Sequence, residues 1–270
     1  MRAISLCLFF GLAAWTGPAI AHEFWIEPLD YQIDPDANLE GHIVNGQHFA
    51  GTEIAYFPQR FSRFDVSLGG QTAAVTGRSG DRPALNTAPL GEGLHIVTYV
   101  AIQSLVTYDD YAAFDRFVTH KDFQGIRAAH VARALPETGF VEAYTRYVKS
   151  LIGVGNSAGD DSYLGLPIEI VALDNPYTAD VSAGLRVQVH EGEGLRDYGQ
   201  VELFDKAPDG TVTITLHRTD GNGIALLPVI PGHSYLVDAV MLREPAAGPA
   251  TESGAVWESL WAALTFAIPE

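Results

Sequence analysis

Short β-prone runs separated by turn residues recur along most of this chain, and they restrict it to a mainly β fold. Residues 185–190 alternate apolar and polar side chains, the pattern of a strand with one buried face. Residues 200–204 and 211–216 continue this pattern on either side of the turn sequence APDG at 207–210. The runs after residue 163 number about seven, which is typical of an immunoglobulin-like or transthyretin-like antiparallel sandwich.

The first part of the chain has a similar pattern. Residues 64–68 alternate apolar and polar side chains before Gly69-Gly70, a turn sequence found in hairpins. Residues 94–100 form an unbroken run of β-prone side chains. We therefore expect two antiparallel β-sandwich parts. The predicted domains are residues 22–155 and 163–270.

Between these β-rich regions, aromatic and apolar residues recur at helical spacing, and PETG at 136–139 interrupts them. We expect two or three helices, inserted at about residues 108–152, whose aromatic face packs against a sheet rather than around a cofactor. The small and polar residues at 153–162 predict a linker or long loop. The helical positions are Tyr111, Phe114, Val118, Phe140, Tyr144, Tyr147, Val148 and Leu151.

Residues 1–21 have the pattern of a secretory signal peptide. Arg2 gives a basic start, residues 4–15 are apolar but too short to span a bilayer, and Ala19-Ile20-Ala21 is a small-x-small cleavage site. We expect cleavage after Ala21 and export to a bacterial periplasm. No later apolar run is long enough for a membrane helix, so no integral membrane segment is expected after cleavage.

The charge balance limits the kinds of partner. The chain has 16 Lys+Arg and 33 Asp+Glu, and removal of Arg2 with the signal changes the net charge from −17 to −18. This excess of acid argues against nucleic acid or anionic lipid as a partner. Cys7 is the only cysteine and lies in the removed segment, so a metal site must use histidines, carboxylates or the terminal amine.

His22 is the first residue after the predicted cleavage site. Its α-amine and imidazole can bind one metal ion together, because the amine loses its proton readily. Such nitrogen donors suit copper, nickel, cobalt and zinc. Cleavage two residues earlier would place His22 third, where an amine, two amides and an imidazole can hold copper or nickel in a plane. Alternatively, His22 is an arbitrary polar residue that follows a signal peptide.

Other histidines could complete a site around His22. His120 is a candidate if the helical insertion folds over the end of the sheet. His42 and His48 are the alternatives, because they flank Asn45-Gly46 and a turn there could bring them together. An imidazole on a strand can also simply face solvent.

The order of several short motifs resembles that of the exported bacterial family DUF4198. The motifs are AHEFWIEP at 21–28, YTRYVK at 144–149, LPIE at 166–169, RTDGNG at 218–223 and WESLWAALTF at 257–266. The resemblance implies two β-sandwich parts with a helical insertion, and a histidine just after the signal. It also implies a periplasmic role in nickel or cobalt uptake, the label the family often carries. Family members often have a histidine in the strand that matches residues 237–241. This chain has none there, although His233 lies just before that strand.

Three classes of function remain open. We favour a metal-binding protein that captures nickel, cobalt or copper, or delivers it to an uptake transporter or outer-membrane receptor. The first alternative is a non-catalytic contact module for a transporter, receptor or glycan, and the second is a copper mono-oxygenase with a histidine brace. No hydrolase motif, phosphate loop or cysteine nucleophile is present, so we do not expect an enzyme. Of two carboxylate pairs, Asp109-Asp110 is interpreted as a helix start and Asp160-Asp161 as part of a solvated loop.

Overall fold

The computed structural model describes residues 23–270, which form a mainly β fold. The first half contains nine strands and a short 3-10 turn at Pro58–Arg60. The strands are β1 Glu23–Pro28, β2 Gln32–Ile33, β3 Leu39–Gln47, β4 Ala50–Ile54, β5 Phe61–Leu68, β6 Gln71–Ala74, β7 Leu85–Thr87, β8 Gly93–Ala101 and β9 Ser104–Tyr108.

Two helices follow, and the chain then returns to strands. The helices are α1 Tyr111–His120 and α2 Ile126–Ala132, and the strands after them are β10 Phe140–Val154, β11 Ile168–Ala172, β12 Leu185–Glu191, β13 Gly194–Leu195, β14 Gln200–Lys206, β15 Val212–Arg218, β16 Ile224–Leu227 and β17 Ser234–Arg243. A short helix, α3 Pro249–Glu252, precedes the last strand, β18 Trp257–Ala267. No helix of the described part, residues 23–270, has the length and apolar character needed to cross a membrane.

A ten-stranded sheet forms the centre of the molecule. Its main path runs β15-β14-β17-β18-β10-β8-β5-β6, and β2 and β9 also pair with β10. Both predicted domains, 22–155 and 163–270, contribute strands to it. The long strands β10 and β18 pair in parallel at its middle, from Glu142 opposite Trp257 to Ser150 opposite Thr265. Almost every residue of β18 is buried, as expected for a strand covered on both faces.

Two four-stranded sheets cover opposite faces of this central sheet, giving a three-layer sandwich. Strands β1, β3, β4 and β7 form one outer sheet, and β11, β12, β13 and β16 form the other. Successive residues of β17 lie on opposite faces of the central sheet. Leu236 belongs to the core under the first outer sheet, together with Trp25. Its neighbour Val237 belongs to the core under the second, together with Val187.

The helices pack on the same face of the central sheet as β1. Phe114 of α1 stacks on Trp257 with ring centroids 5.9 Å apart, and Phe117 stacks on Trp261 at 5.5 Å. The Asp110 side chain accepts a hydrogen bond from the Ala113 amide at 2.8 Å, so Asp110 is the N-cap of α1. The predicted helix start and aromatic packing against a sheet are therefore confirmed.

The prediction of helix at residues 140–152 is wrong, because residues 140–154 form β10. Phe140, Tyr144 and Val148 are four residues apart, a spacing that fits one helix face but also one face of a strand. Pairing with β8, β9 and β18 decides in favour of the strand.

The stretch at 153–162 is not a free linker, and the expectation that Asp161 is solvated is wrong. The Lys149 ammonium lies 2.7 Å from the Asp161 carboxylate and 3.0 Å from the Glu169 carboxylate, and all three side chains are buried. The second Asp161 oxygen accepts a hydrogen bond from the Ala172 amide at 2.9 Å. These contacts fix the loop after β10 against the second outer sheet.

Candidate functional site

Strand β1 begins beside a group of charged side chains between the first outer sheet and the central sheet. We call Glu23, His120, Lys121, Glu202 and Asp238 the amino-terminal cluster. All but His120 are buried. Four separate parts of the chain supply them: the first residue of β1, the end of α1, β14 and β17.

Two of the carboxylates are cross-strand neighbours. Glu202 on β14 lies directly opposite Asp238 on β17, on the sheet face that also carries Phe204 and Leu236. Like charges in this arrangement repel each other, and burial increases the cost. Lys121 offsets that cost, since its Nζ lies 2.7 Å from Asp238 Oδ2 and 3.1 Å from Glu202 Oε2.

Lys121 is also held by an aromatic ring. Its Nζ lies 4.9 Å from the centre of the Trp261 ring, and Trp261 stacks on Phe117 of α1. The ammonium group is therefore enclosed by two carboxylates and a ring face. Burial raises the pKa of Asp238, and the neighbouring Lys121 charge opposes this rise.

His120 is the exposed member of the cluster. Its Nε2 lies 3.1 Å from Glu202 Oε1, and its side chain is 59% exposed. The hydrogen bond to Glu202 raises the pKa of His120, while partial burial opposes the rise. In neutral His120 this bond favours the tautomer with the proton on Nε2. Within residues 23–270 Nδ1 has no hydrogen-bond partner, so its lone pair is available to a ligand.

Glu23 adds a third carboxylate. Burial raises the pKa of Glu23 to about 7, and the nearby Asp238 charge adds to the rise, while Lys121 opposes it. The His48 backbone N–H donates a hydrogen bond to Glu23 Oε2 at 3.1 Å. Three carboxylates thus surround one lysine and one histidine, so the cluster attracts a further cation when Glu23 is ionised.

The predicted histidines are placed differently by the fold. His22 lies outside the described residues, immediately before Glu23 in the sequence. His120 is the last residue of α1 and pairs with Glu202 of the amino-terminal cluster. The fold therefore brings His120 close to Glu23, whose charge contributes to the raised pKa of His120.

His42 and His48 are not brought together by a turn, and that expectation is wrong. Strand β3 runs without interruption through Asn45-Gly46, so the two residues are separated by about 20 Å at 3.4 Å per residue. His42 Nδ1 lies 3.3 Å from Glu53 Oε2. His48 follows β3 in a turn with φ 55° and contacts Glu23 only through its backbone N–H among the hydrogen bonds described.

A further buried carboxylate lies next to the cluster. Glu142 on β10 accepts hydrogen bonds from Tyr108, at 2.7 Å, and from Ser259. The Trp261 indole N–H donates to Ser259 Oγ at 2.8 Å, so Trp261 contacts both this network and Lys121. Burial raises the pKa of Glu142 to about 7, and the hydrogen bonds from Ser259 and Tyr108 oppose the rise.

Sequence reasoning missed the charged members of the cluster. Asp238 interrupts the apolar run of β17, and Glu202 interrupts that of β14. A carboxylate inside a buried strand needs a cation or hydrogen-bond donors as partners. An acidic residue within an apolar run was therefore the sequence signal for this cluster. No comparable signal marks Lys121, because its position depends on how the helical insertion folds back.

The described residues do not form a complete metal site on their own. Within residues 23–270, no three His, Cys, Asp or Glu side chains converge in a geometry that could hold a metal ion. A metal bound at the amino-terminal cluster therefore requires donors from before Glu23, or a rearrangement of the ion pairs around Lys121.

Comparisons with known proteins identify a family. A sequence model of the Domain of unknown function (DUF4198) matches residues 19–243. A search of curated proteins found no match.

Two solved structures are similar at low scores. One is a tetra-tandem repeat in the extending region of a large adhesion protein, with 12% identity and a TM-score of 0.20, and it covers 91% of this chain and 49% of that one. The chain thus spans about half the length of that structure. The other is the D0-D1 domain of intimin, with 12% identity and a TM-score of 0.21, covering 90% of this chain and 97% of that one.

Proposed function

The chain belongs to the DUF4198 family, a domain of unknown function, and we propose that it is an exported protein that binds a transition-metal ion at its processed amino terminus. Removal of residues 1–21 would give the mature protein a free α-amine on His22. The observation that carries the proposal is the pairing of His120 with Glu202, in the cluster that also contains Glu23, the next residue after His22.

The donor set follows from covalent geometry. Consecutive Cα atoms are about 3.8 Å apart, so the bond to Glu23 allows His22 to reach the amino-terminal cluster in this proposal. The amine and imidazole of His22 together with Nδ1 of His120 supply three nitrogen donors. Such a set suits nickel, cobalt or copper better than magnesium or calcium, which prefer oxygen.

The neighbouring carboxylates support this donor set by contacting the ligands rather than the metal. Metal-bound histidines usually donate their other ring N–H to a carboxylate, which fixes the tautomer and the ring orientation. Glu202 holds His120 Nε2 in this manner. Glu23 and Asp238 add negative charge, and Lys121 occupies the oxygens that would otherwise favour a harder cation.

Strand β1 provides a rigid base for the terminus. Trp25 and Ile26 are fully buried, and the Trp25 ring contacts Phe49 with ring centroids 5.4 Å apart. Anchoring the residues just after His22 reduces the conformational entropy lost when the metal binds. In this proposal the mature protein captures the ion in the periplasm and passes it to an uptake transporter or outer-membrane receptor.

The experiment is a calorimetric titration of untagged, signal-cleaved protein with nickel, cobalt and copper. We expect one high-affinity site in the wild type, loss of that site in His22→Ala, and weaker binding in His120→Gln. His42→Gln is the matched control, because His42 also lies beside a carboxylate, that of Glu53, but is elsewhere on β3. Unchanged affinity in His22→Ala would disprove the site. A wild type that binds none of the three ions would instead favour the contact-module alternative.

A further inference from the structure

Strand β15 is an outer edge of the central sheet, and its side chains are unusually exposed for such a regular strand. It pairs with β14 over seven residues without a bulge, and no strand within residues 23–270 pairs with its other side. Ile214 is 40% exposed and Leu216 59%. These two side chains lie opposite Phe204 and Glu202, on the face that carries the amino-terminal cluster.

The pairing of β15 with β14 determines the direction in which the free backbone groups of β15 point. The Ala207 amide donates to the Thr211 carbonyl at 2.9 Å, and the Thr219 amide donates to the Gly199 carbonyl at 3.0 Å. Backbone bonds alternate along an antiparallel pair, so the odd-numbered residues from 211 to 219 bond to β14. The N–H and C=O groups of the even-numbered residues from 212 to 218 therefore point away from the sheet.

This edge lacks the features that usually prevent strand addition. Natural edge strands carry lysine, proline, a bulge or inward-pointing charges, or they are very short. Residues 211–217, TVTITLH, contain no glycine, proline or formally charged residue, although the chain as a whole has a net charge of −17. Partial burial lowers the pKa of His217, and this favours the neutral imidazole near pH 7. The opposite edge, β6, has only four residues.

We propose that β15 pairs antiparallel with β15 of a second copy of this chain, about a two-fold axis at Ile214. Residue numbers of paired positions then add to 428. Ile214 lies opposite its own copy, Val212 opposite Leu216, and Thr213 opposite Thr215. The outward-facing backbone groups of the even-numbered residues meet in hydrogen-bonded pairs, as the alternation requires.

A second copy fits this edge better than an unrelated strand because the edge complements itself. The pairing places three apolar side chains of each copy on one face and threonines on the other, and both kinds of cross-strand pair stabilise sheets. It brings no two formal charges face to face, since Arg218 lies opposite Gly210 of the other copy. Two strongly acidic chains can meet at this neutral edge with little repulsion.

The first test is the mass of the signal-cleaved protein in solution, measured by light scattering after size exclusion. We expect a dimer in the wild type and a monomer in Ile214→Lys, because two lysines would then face each other about 5.5 Å apart at the two-fold axis. Ala74→Lys on β6 is the control and should remain a dimer, since Ala74 is also exposed on an edge strand. A monomeric wild type, or a dimer that persists in Ile214→Lys, would overturn the proposal.

Cysteine cross-linking tests the register. The chain has no cysteine after Cys7, so each variant introduces a single thiol into the mature protein. Two copies of Ile214→Cys should oxidise to a disulfide, because a hydrogen-bonded pair has Cα atoms about 5.5 Å apart, within the disulfide range. Thr213→Cys should cross-link poorly, since its copies lie on a diagonal about 7–8 Å apart. Cross-linking of Ala74→Cys but not of Ile214→Cys would contradict the proposal.

Discussion

Glu202 on β14 lies directly opposite Asp238 on β17, and both carboxylates contact the buried ammonium group of Lys121. Two acids facing each other inside a sheet cannot stay ionised without such a cation. The arrangement fixes the end of α1 against the central sheet, and it thereby places His120 beside Glu202, in the cluster that also contains Glu23.

Replacing Lys121 with methionine should destabilise the protein by about 3–5 kcal/mol, because two buried carboxylates would lose their cation. Urea unfolding followed by tryptophan fluorescence measures the change. Lys206→Met is the matched control. Lys206 pairs with Glu27 at 2.7 Å but is partly exposed, so its loss should cost less than the loss of Lys121. Equal losses of unfolding free energy in the two variants would contradict the importance of the buried pair. Combining Lys121→Met with Asp238→Asn should recover part of the stability that Lys121→Met alone loses.

Replacing Glu142 with glutamine should stabilise the protein at pH 8 and not at pH 4. Burial raises the pKa of Glu142 to about 7 in the folded state, so the folded chain binds a proton more tightly than the unfolded chain. The contribution of Glu142 to the free energy of unfolding is therefore fully present at low pH. It decreases as the pH rises from about 4.5 to about 7, by at most about 3 kcal/mol. Thermal unfolding of both proteins from pH 4 to pH 8 tests this. Glu193→Gln, an exposed change of the same kind, should show no such dependence. A constant difference between Glu142→Gln and wild type at all pH values would refute it.

Replacing Glu202 with glutamine should weaken metal binding by about 10–100-fold if Glu202 orients a metal-bound His120. The amide leaves one neutral and one charged partner for Lys121, so the protein should still fold. The dissociation constant from nickel or copper titration gives the effect. Glu258→Gln is a suitable control, because Glu258 is also buried but pairs with Arg243 at 2.7 Å. Unchanged affinity in Glu202→Gln would exclude this role.

Replacing Trp25 with alanine should cost about 3–5 kcal/mol, since Trp25 is fully buried in the core under the first outer sheet. Trp25→Phe should cost less, because it keeps a ring against Phe49. If β1 holds the terminus rigid, the alanine variant should also bind metal more weakly at a temperature where it remains folded. Circular dichroism and calorimetry measure the two effects separately. Full metal affinity in a folded Trp25→Ala variant would show that anchoring by β1 is unimportant.

Sequence patterns predicted the β-rich class and the helical insertion because alternation and aromatic spacing are local properties. They failed at β10, where Phe140, Tyr144 and Val148 satisfy the periods of both helix and strand. They also failed to show that strands from both halves join in one sheet, because β10 and β18 are separated by more than a hundred residues and meet only in the folded chain.

The candidate site was accessible to sequence reasoning only in part. His120 could be named as a candidate because a histidine side chain can bind a metal ion. Its pairing with Glu202, and the contact of Lys121 with Asp238, depend on how α1 packs across β14 and β17. Such tertiary contacts between residues more than eighty positions apart leave no local pattern in a single sequence.

Binding of a metal ion by the processed terminus is measured by native mass spectrometry of the untagged protein, expressed with residues 1–21 in place. We expect a chain that starts at His22 and carries one nickel, cobalt or copper ion, which is lost in His22→Ala. A chain that starts at His22 and stays free of metal throughout titration with all three ions would contradict it.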